Sequence, residues 1–170
     1  QRLARFHEEL HDILALLAGH GLEVMPLKGA VLSVLYYDDP ACRPMSDLDL
    51  LLPSSQLEKA TGLLTQLGYE QESRNWKHIS LSKPNNRQVV SYDSEHPDNP
   101  RHLELHGYCQ EMFAGPKVDL TTGMWANSTP GTLLGQPVRL PHPDWLWLHL
   151  LLHTSGNIWG NRLRLINLVD

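Results

Sequence analysis

The chain has no run of residues long and apolar enough to span a bilayer, and its first ten, QRLARFHEEL, lack the apolar core of a signal peptide. It has no dense Lys/Arg cluster either. With 14 basic against 19 acidic residues and a formal net charge of -5, an extended nucleic acid is not the expected main partner. A small phosphorylated ligand stays compatible with that balance, because a few charges and a metal suffice to hold one. Only two cysteines are present, Cys42 and Cys109, too few for a disulfide scaffold. They read as free thiols of a cytoplasmic protein. Internal repeats and low-complexity stretches are absent. The N-terminus also lacks a methionine, and LRLINLVD at the other end stops inside an amphipathic pattern without a glycine or proline. The expectation is a chain cut from something longer, with part of a C-terminal helical region missing.

What is present is an ordinary 41% hydrophobic content, enough for one well-packed domain in 170 residues or one domain with a small appendage. Leu3, Phe6, Leu10, Ile13, Leu14 and Leu17 recur at helical spacing, and Gly19 and Gly21 stop that helix. Residues 22–27 read as a short strand despite Pro26, and residues 30–37 as a helix after the Lys28-Gly29 turn. Residues 47–52 form a second strand. Pro53 breaks it, and Ser55-Gln56-Leu57-Glu58 has the spacing of a capping box opening a helix that ends at Gly68. The periodicity then switches to two: residues 76–81, 88–92 and 102–106 read as strands, with a turn at 83–86 and a loop at 94–100. No element is assigned between Gly107 and Gly135, and residues 136–140 suggest a short edge strand. Pro143 and Asp144 suit the first turn of a helix. That helix is apolar nearly all round from Trp145 to His153 and is expected to be buried. Ser155-Gly156-Asn157 is expected to interrupt it before a final helix near Trp159. This order predicts an α+β fold with a C-terminal helical extension: residues 1–141 as the main domain and 142–170 as the start of a truncated helical region.

The chemistry concentrates in LKGAVLSVLYYDDPACRPMSDLDLLL, residues 27–52. On a strand Asp47 and Asp49 share one face, about 7 Å apart at the Cα atoms, while Leu48 and Leu50 take the other. Carboxylates so placed converge on one cation, or on two about 3.5–4 Å apart. Oxygen ligands select Mg²⁺ or Mn²⁺. The bland alternative is a strand edge with two solvated aspartates. The same alternation puts His102, Glu104 and His106 on one face of a later strand, which either completes a carboxylate cluster or is merely the wet face of an antiparallel strand. Between strand and helix, Lys28-Gly29-Ala30 offers a close backbone approach, unpaired N–H groups and an ammonium to a phosphate, or is an ordinary tight turn. Arg43 reads as a phosphate contact or a structural ion pair.

Together these residues resemble the uncharacterised bacterial nucleotidyltransferases related to the polymerase β superfamily. The resemblance is carried by Leu27-Lys28-Gly29-Ala30, by Arg43-Pro44-Met45-Ser46-Asp47-Leu48-Asp49 and by Glu104-Leu105-His106, and extends over most of the chain. It implies a polymerase β-like core, a mixed sheet flanked by helices. It also implies nucleotide binding at Lys28, Gly29, Ala30, Arg43 and Ser46, and Mg²⁺ or Mn²⁺ held by Asp47, Asp49 and Glu104 as metal ligands and catalytic residues. The activity implied is in-line transfer of a nucleoside monophosphate from an NTP to a hydroxyl of a small-molecule or protein acceptor, by a two-metal mechanism with no membrane involved. Two alternatives remain. One is an inactive nucleotide-binding or partner-binding module, such as an antitoxin-like relative; the other is a metal-dependent phosphohydrolase.

Other residues read as packing. His149 and His153 have zinc-compatible spacing but no third ligand nearby in sequence. Trp145, Trp147 and Trp159 read as core rather than as a stacking platform, and Tyr36 and Tyr37 as helix-packing aromatics. His78 lies on a predicted strand within reach of the site.

Overall fold

The computed structural model describes residues 2–83, 101–161 and 166. Its first element is the predicted amphipathic helix, α1 (Arg2–Gly19), which buries Phe6, Leu10, Ile13, Leu14 and Leu17. Gly21 follows with φ of 71°, a conformation that costs glycine no side-chain clash.

Five strands form one mixed sheet: β1 (Met25–Leu27), β2 (Asp47–Leu51), β3 (Glu70–Arg74), β4 (His78–Lys83) and β5 (Arg101–His106). Their spatial order is β1-β2-β5-β4-β3. The pair β2–β5 is parallel and the other pairs are antiparallel. Because side chains alternate across a strand, the sheet has two unlike faces. One presents Leu48, Leu50, Ile79, Leu81, Leu103 and Leu105 to α1 and to α3 (Leu57–Leu64), which together make the main core. The other presents Asp47, Asp49, Glu104 and His106, and beyond them Met25, Leu27 and Leu51, which pack with Cys109 and Met124. Tyr69 ties the layers together: its hydroxyl donates to Glu9 Oε2 at 2.8 Å, and Glu9 is in turn ion-paired with Arg101 on β5. The arrangement is α+β, as the sequence predicts.

Several expectations need correcting. The first strand is three residues, not six; Leu22 and Val24 are buried, but the Val24 carbonyl accepts from the Arg139 N–H at 2.8 Å instead of joining the sheet. The capping box does not form. Ser54–Gln56 is a 3-10 turn, α3 starts at Leu57 without a side-chain cap, and Gln56 Oε1 accepts from the Glu23 N–H. The Gly68 stop is present, with φ of 83°. β3, EQESR, is a wholly exposed polar edge strand that carries no apolar alternation. β4 starts two residues later than expected, because Asn75 Oδ1 accepts from the N–H groups of Lys77 and His78 and holds the chain in a turn. The expected strand at 88–92 and the loop at 94–100 lie outside the described residues, as does most of the turn at 83–86.

Between residues 107 and 135 lie β6 (Gln110–Met112), β7 (Lys117–Asp119), α4 (Thr121–Ala126) and β8 (Ser128–Leu133). The strand expected at 136–140 is β9 (Gln136–Pro141); it pairs with β8 through Leu134-Gly135, both at positive φ, as a two-residue hairpin turn requires. Helix α5 (Pro143–Trp159) begins at the expected proline but runs uninterrupted through Ser155-Gly156-Asn157. Nor is it buried all round. Leu146, His149 and Leu152 are covered, while Trp147, Leu148, Leu151, Ile158 and Trp159 are exposed. The expected boundary at 141/142 falls between β9 and α5. Leu146 packs against Val31 and Leu32 of α2 (Lys28–Leu35), which fixes α5 over the charged face of the sheet.

Candidate active site

Leu27 ends β1 directly opposite Asp49, so the turn that follows is delivered to the carboxylates. Lys28 opens α2 with φ of 47°, in the left-handed region that a non-glycine residue seldom occupies. From there its ammonium donates to Asp49 Oδ1 at 2.6 Å. Gly29 is required by crowding. A Cβ there would come within 2.8 Å of Met45 Cγ and into contact with the Arg43 guanidinium, so only a hydrogen lets residues 43–45 lie across the turn. Arg43 is itself buried, and its Nη1 donates to the Pro44 carbonyl at 3.0 Å.

The parallel register sets Asp49 beside Glu104 and Asp47 beside His102. Asp49 is 2% exposed and Asp47 is half-buried, so the reading as two solvated aspartates is wrong for this pair. Asp47 Oδ1 accepts from Ser46 Oγ at 3.0 Å. Asp49 Oδ1 also lies 2.8 Å from His106 Nε2; a carboxylate only accepts, so that nitrogen carries a proton. The same nitrogen is 3.3 Å from Glu104 Oε2, and His78 Nε2 is 3.5 Å from Glu104 Oε1. This face of β5 is not a wet one, because His106 is only 2% exposed. His102 points to the same face, but farther out, where it is exposed and meets Glu72.

Asp47, Asp49, His78 and Glu104 form one wall of a cavity of about 440 Å³. Of the residues the sequence singled out, Lys28, Gly29, Arg43, Ser46, Asp47, Asp49 and Glu104 all line it. Ala30 does not: it is fully buried in the main core, and a phosphate-binding role for its side chain has no support. The opposite wall is His153, which the sequence reads as packing, with Thr154 and Asn157 of α5, and Lys77 beside them in an ion pair with Glu111. Spacing gave a faint sign of that wall, since His153 and Asn157 are four apart on a helix and their Nε2 and Nδ2 atoms lie 3.0 Å apart.

Electrostatics separates the carboxylates. Burial, with repulsion from Asp49 and Glu104, raises the Asp47 carboxyl above its ordinary range. Burial opposes ionisation of Asp49 too, but the Lys28 ammonium and the His106 ring overcome it and hold that carboxyl well below the ordinary range. Glu104 is likewise buried yet lowered, chiefly by its hydrogen bond from His106. Burial lowers His78 against the pull of Glu104 and pushes His153 down to about 3, so both rings are neutral at ordinary pH. Among the described residues, the three His, Cys, Asp or Glu groups whose ligand atoms all lie within 4.8 Å of one another are His78, Glu104 and His106. Among the described residues, His149 and His153 gather no third ligand, and His149 is buried with no hydrogen-bond partner at either ring nitrogen. Trp147 and Trp159 are exposed, contrary to the core reading, whereas Trp145 covers Gly123. Tyr37 packs beside Val31 and Leu32, but Tyr36 is exposed. Both cysteines are free, with the buried Cys109 thiol pushed up to about 12. No helix among the described residues is long and apolar enough to cross a membrane.

Comparison with known proteins gives the same fold. No curated protein sequence matches the chain. Among solved structures, it is similar to the antibiotic-resistance factor ANT(2'')-Ia in solution, at a TM-score of 0.58 and 14% identity over 90% of this chain and 74% of that one. A candidate nucleotidyltransferase from Thermotoga maritima is similar at 0.59 and 11% identity, over 95% and 93% of the two chains. The lincosamide antibiotic adenylyltransferase LnuA, bound to lincomycin, matches at 0.51 and 14% identity over 83% of each. At such identities these likenesses speak for the fold alone, one shared with solved nucleotidyltransferases. The family model described as uncharacterised nucleotidyltransferase matches residues 1–170, and the chain belongs to that family.

Proposed function

We propose that this nucleotidyltransferase moves a nucleoside monophosphate from an NTP to a hydroxyl of a small-molecule acceptor, with Mg²⁺ or Mn²⁺. The observation that carries this reading is the convergence of Asp47, Asp49 and Glu104 on one cavity that also holds the Lys28-Gly29 turn, Arg43 and Ser46. A site of about 440 Å³ suits a small ligand. The acceptor reading draws on ANT(2'')-Ia, which has been seen with adenylyl-2''-tobramycin, and on LnuA with lincomycin.

The residues fit a hard divalent cation: a raised Asp47 beside two ionised carboxylates marks negative charge that Lys28 leaves only partly balanced. Asp47, Asp49 and Glu104 would hold it, and when bound it supplies charge neutralisation at the phosphates and activation of the acceptor hydroxyl. The chain's own groups do the rest. Lys28, Arg43 and the N–H groups at the start of α2 position the triphosphate. The acceptor oxygen attacks the α-phosphorus as the bond to the β-phosphate oxygen breaks, and pyrophosphate leaves. Glu104, ionised, takes the hydroxyl proton. His153, Thr154 and Asn157 face the acceptor from α5. The place of action is the cytoplasm, where free thiols and NTPs coexist.

The test uses NTPs labelled at the α-phosphate, Mg²⁺ and a panel of hydroxylated small molecules. Label is expected on an acceptor, with Asp49→Asn slower by about a thousandfold, the scale of losing several kcal/mol of transition-state charge stabilisation. Label released only as free mononucleotide would make the protein a hydrolase. A melting temperature unmoved by any NTP with Mg²⁺ would leave the partner-binding reading instead.

A further inference from the structure

We propose that the Glu104 end of the cluster is a mixed imidazole–carboxylate site for a borderline divalent cation (Mn²⁺, Co²⁺ or Zn²⁺), formed by His78, Glu104 and His106 with Asp49 alongside. The backbone assembles it. Antiparallel register places His78 directly opposite His106, and Glu104 precedes His106 by two residues on the same face. The ligand atoms of all three lie within 4.8 Å of one another, and the two rings meet edge-on with centroids 5.3 Å apart. This is no solvated patch: the side chains of His106, His78 and Glu104 are 3%, 18% and 24% exposed.

The protons point to a cation. Asn75 Oδ1 receives two backbone N–H groups, from Lys77 at 2.8 Å and His78 at 3.0 Å, which fixes the orientation of the amide. Its Nδ2, a donor only, therefore faces His78 Nε2 at 3.2 Å, and only an unprotonated ring nitrogen accepts from it. His78 Nε2 thus carries a lone pair, and 3.5 Å away stands Glu104 Oε1, also electron-rich. That lone pair is held by the Asn75 amide proton, and a cation entering between Nε2 and Oε1 takes that proton's place while neutralising the carboxylate. Holding the lone pair on Nε2 also leaves the proton on Nδ1, which is buried without a hydrogen-bond partner among the described residues. The tautomer that suits a ligand is maintained at a cost.

The donor set decides the metal. Two imidazoles with carboxylates favour first-row transition ions, whereas Mg²⁺ prefers oxygen and retains water. The two ends of the cluster therefore differ: oxygen-only around Asp47, nitrogen-rich around Glu104. The His106 ring coordinates as a neutral imidazole, its proton moving from Nε2 to Nδ1 by exchange with solvent.

This inference rests on the proposed transfer reaction only in sharing Glu104 and Asp49, so its test omits nucleotide. The full chain, freed of metal by chelation, is titrated with Co²⁺ and followed by visible absorption. A saturating rise in ligand-field bands stronger than those of the hydrated ion is expected. His78→Gln should weaken Co²⁺ binding by about tenfold to a hundredfold. Glu104→Gln should weaken it comparably and serves as the second reading if His78→Gln fails to fold. His102→Gln, on the same face of β5 but exposed beside Glu72, should leave the Co²⁺ bands in place. Bands no different from the hydrated ion, or folded variants at both His78 and Glu104 that bind Co²⁺ as the parent does, would overturn the proposal. Failure of the transferase reading would show elsewhere, in an absent NTP shift or unlabelled acceptors, with the Co²⁺ titration untouched.

Discussion

The two faces of the central sheet are built from alternate residues of the same strands, yet they answer to different physics. On β2, Leu48 and Leu50 are fully buried among other leucines, while Asp47 and Asp49 look into a cavity. On β5, Leu103 and Leu105 join that leucine layer, and Glu104 joins the cavity with His106 buried beside it. The leucine layer is redundant in kind: each member contributes area, and several apolar shapes serve. The charged layer is not. Each group there is defined by its partner, and burial penalises any that lacks one.

The comparison can be broken from either side. The largest effect on the fold is expected from Leu50→Ala, a fully buried side chain in the main core, at about 2–5 kcal/mol of lost stability in urea unfolding. A cost near zero would mean that the leucine layer does not hold the sheet. A smaller change sits at the turn. Gly29→Ala must push a methyl against Met45 and Arg43, and the displaced segment should weaken NTP binding by about tenfold, or 1.4 kcal/mol. Calorimetry with a non-hydrolysable NTP measures it, and unchanged affinity would remove the turn from the nucleotide site.

The smallest effect is the most diagnostic. The folded state raises the Asp47 carboxyl, so stability falls as pH rises through that raised value, and at neutral pH ionised Asp47 is a net cost. In the presence of a chelator, Asp47→Asn should therefore melt higher than the parent, by about 2–4 °C for each kcal/mol relieved. The gain should fade as pH falls toward the ordinary value of 3.8. With Mg²⁺ and a non-hydrolysable NTP together the order should reverse, because a bound cation rewards the carboxylate. An Asn variant that melts lower than the parent even in chelator would show that the charged layer is not waiting for a cation.

The legible parts of the sequence are those whose signal is local. Asp47 and Asp49 stand out because leucines flank them at a period of two, and α1 and the Gly68 stop follow from spacing and backbone freedom alone. β3 was illegible because an edge strand needs no apolar face, and EQESR has none. The residues of α5 mislead for the opposite reason. Hydrophobicity says what favours cover, not what receives it, and Trp147 and Trp159 are exposed. Ser155-Gly156-Asn157 stays helical because Gly156 leaves room for Glu111 and Asn157 pairs with His153 one turn back. The far wall of the cavity comes from a helix about a hundred residues beyond the carboxylates, a proximity that no local pattern encodes. His106 was placed on the right face, but its bond to Asp49 depends on the parallel register of two strands distant in sequence.

Lys28 sets the terms on which any visitor enters. Its ammonium already occupies Asp49, from a backbone conformation that only a committed fold maintains. The pocket is therefore a lodging with a sitting tenant, and a bare cation arriving alone must evict it, leaving a buried ammonium with nowhere to go. A cation that arrives already carrying a triphosphate brings the tenant a new address. The exchange is then nearly even in charge, and the site favours the paired guest over either guest alone.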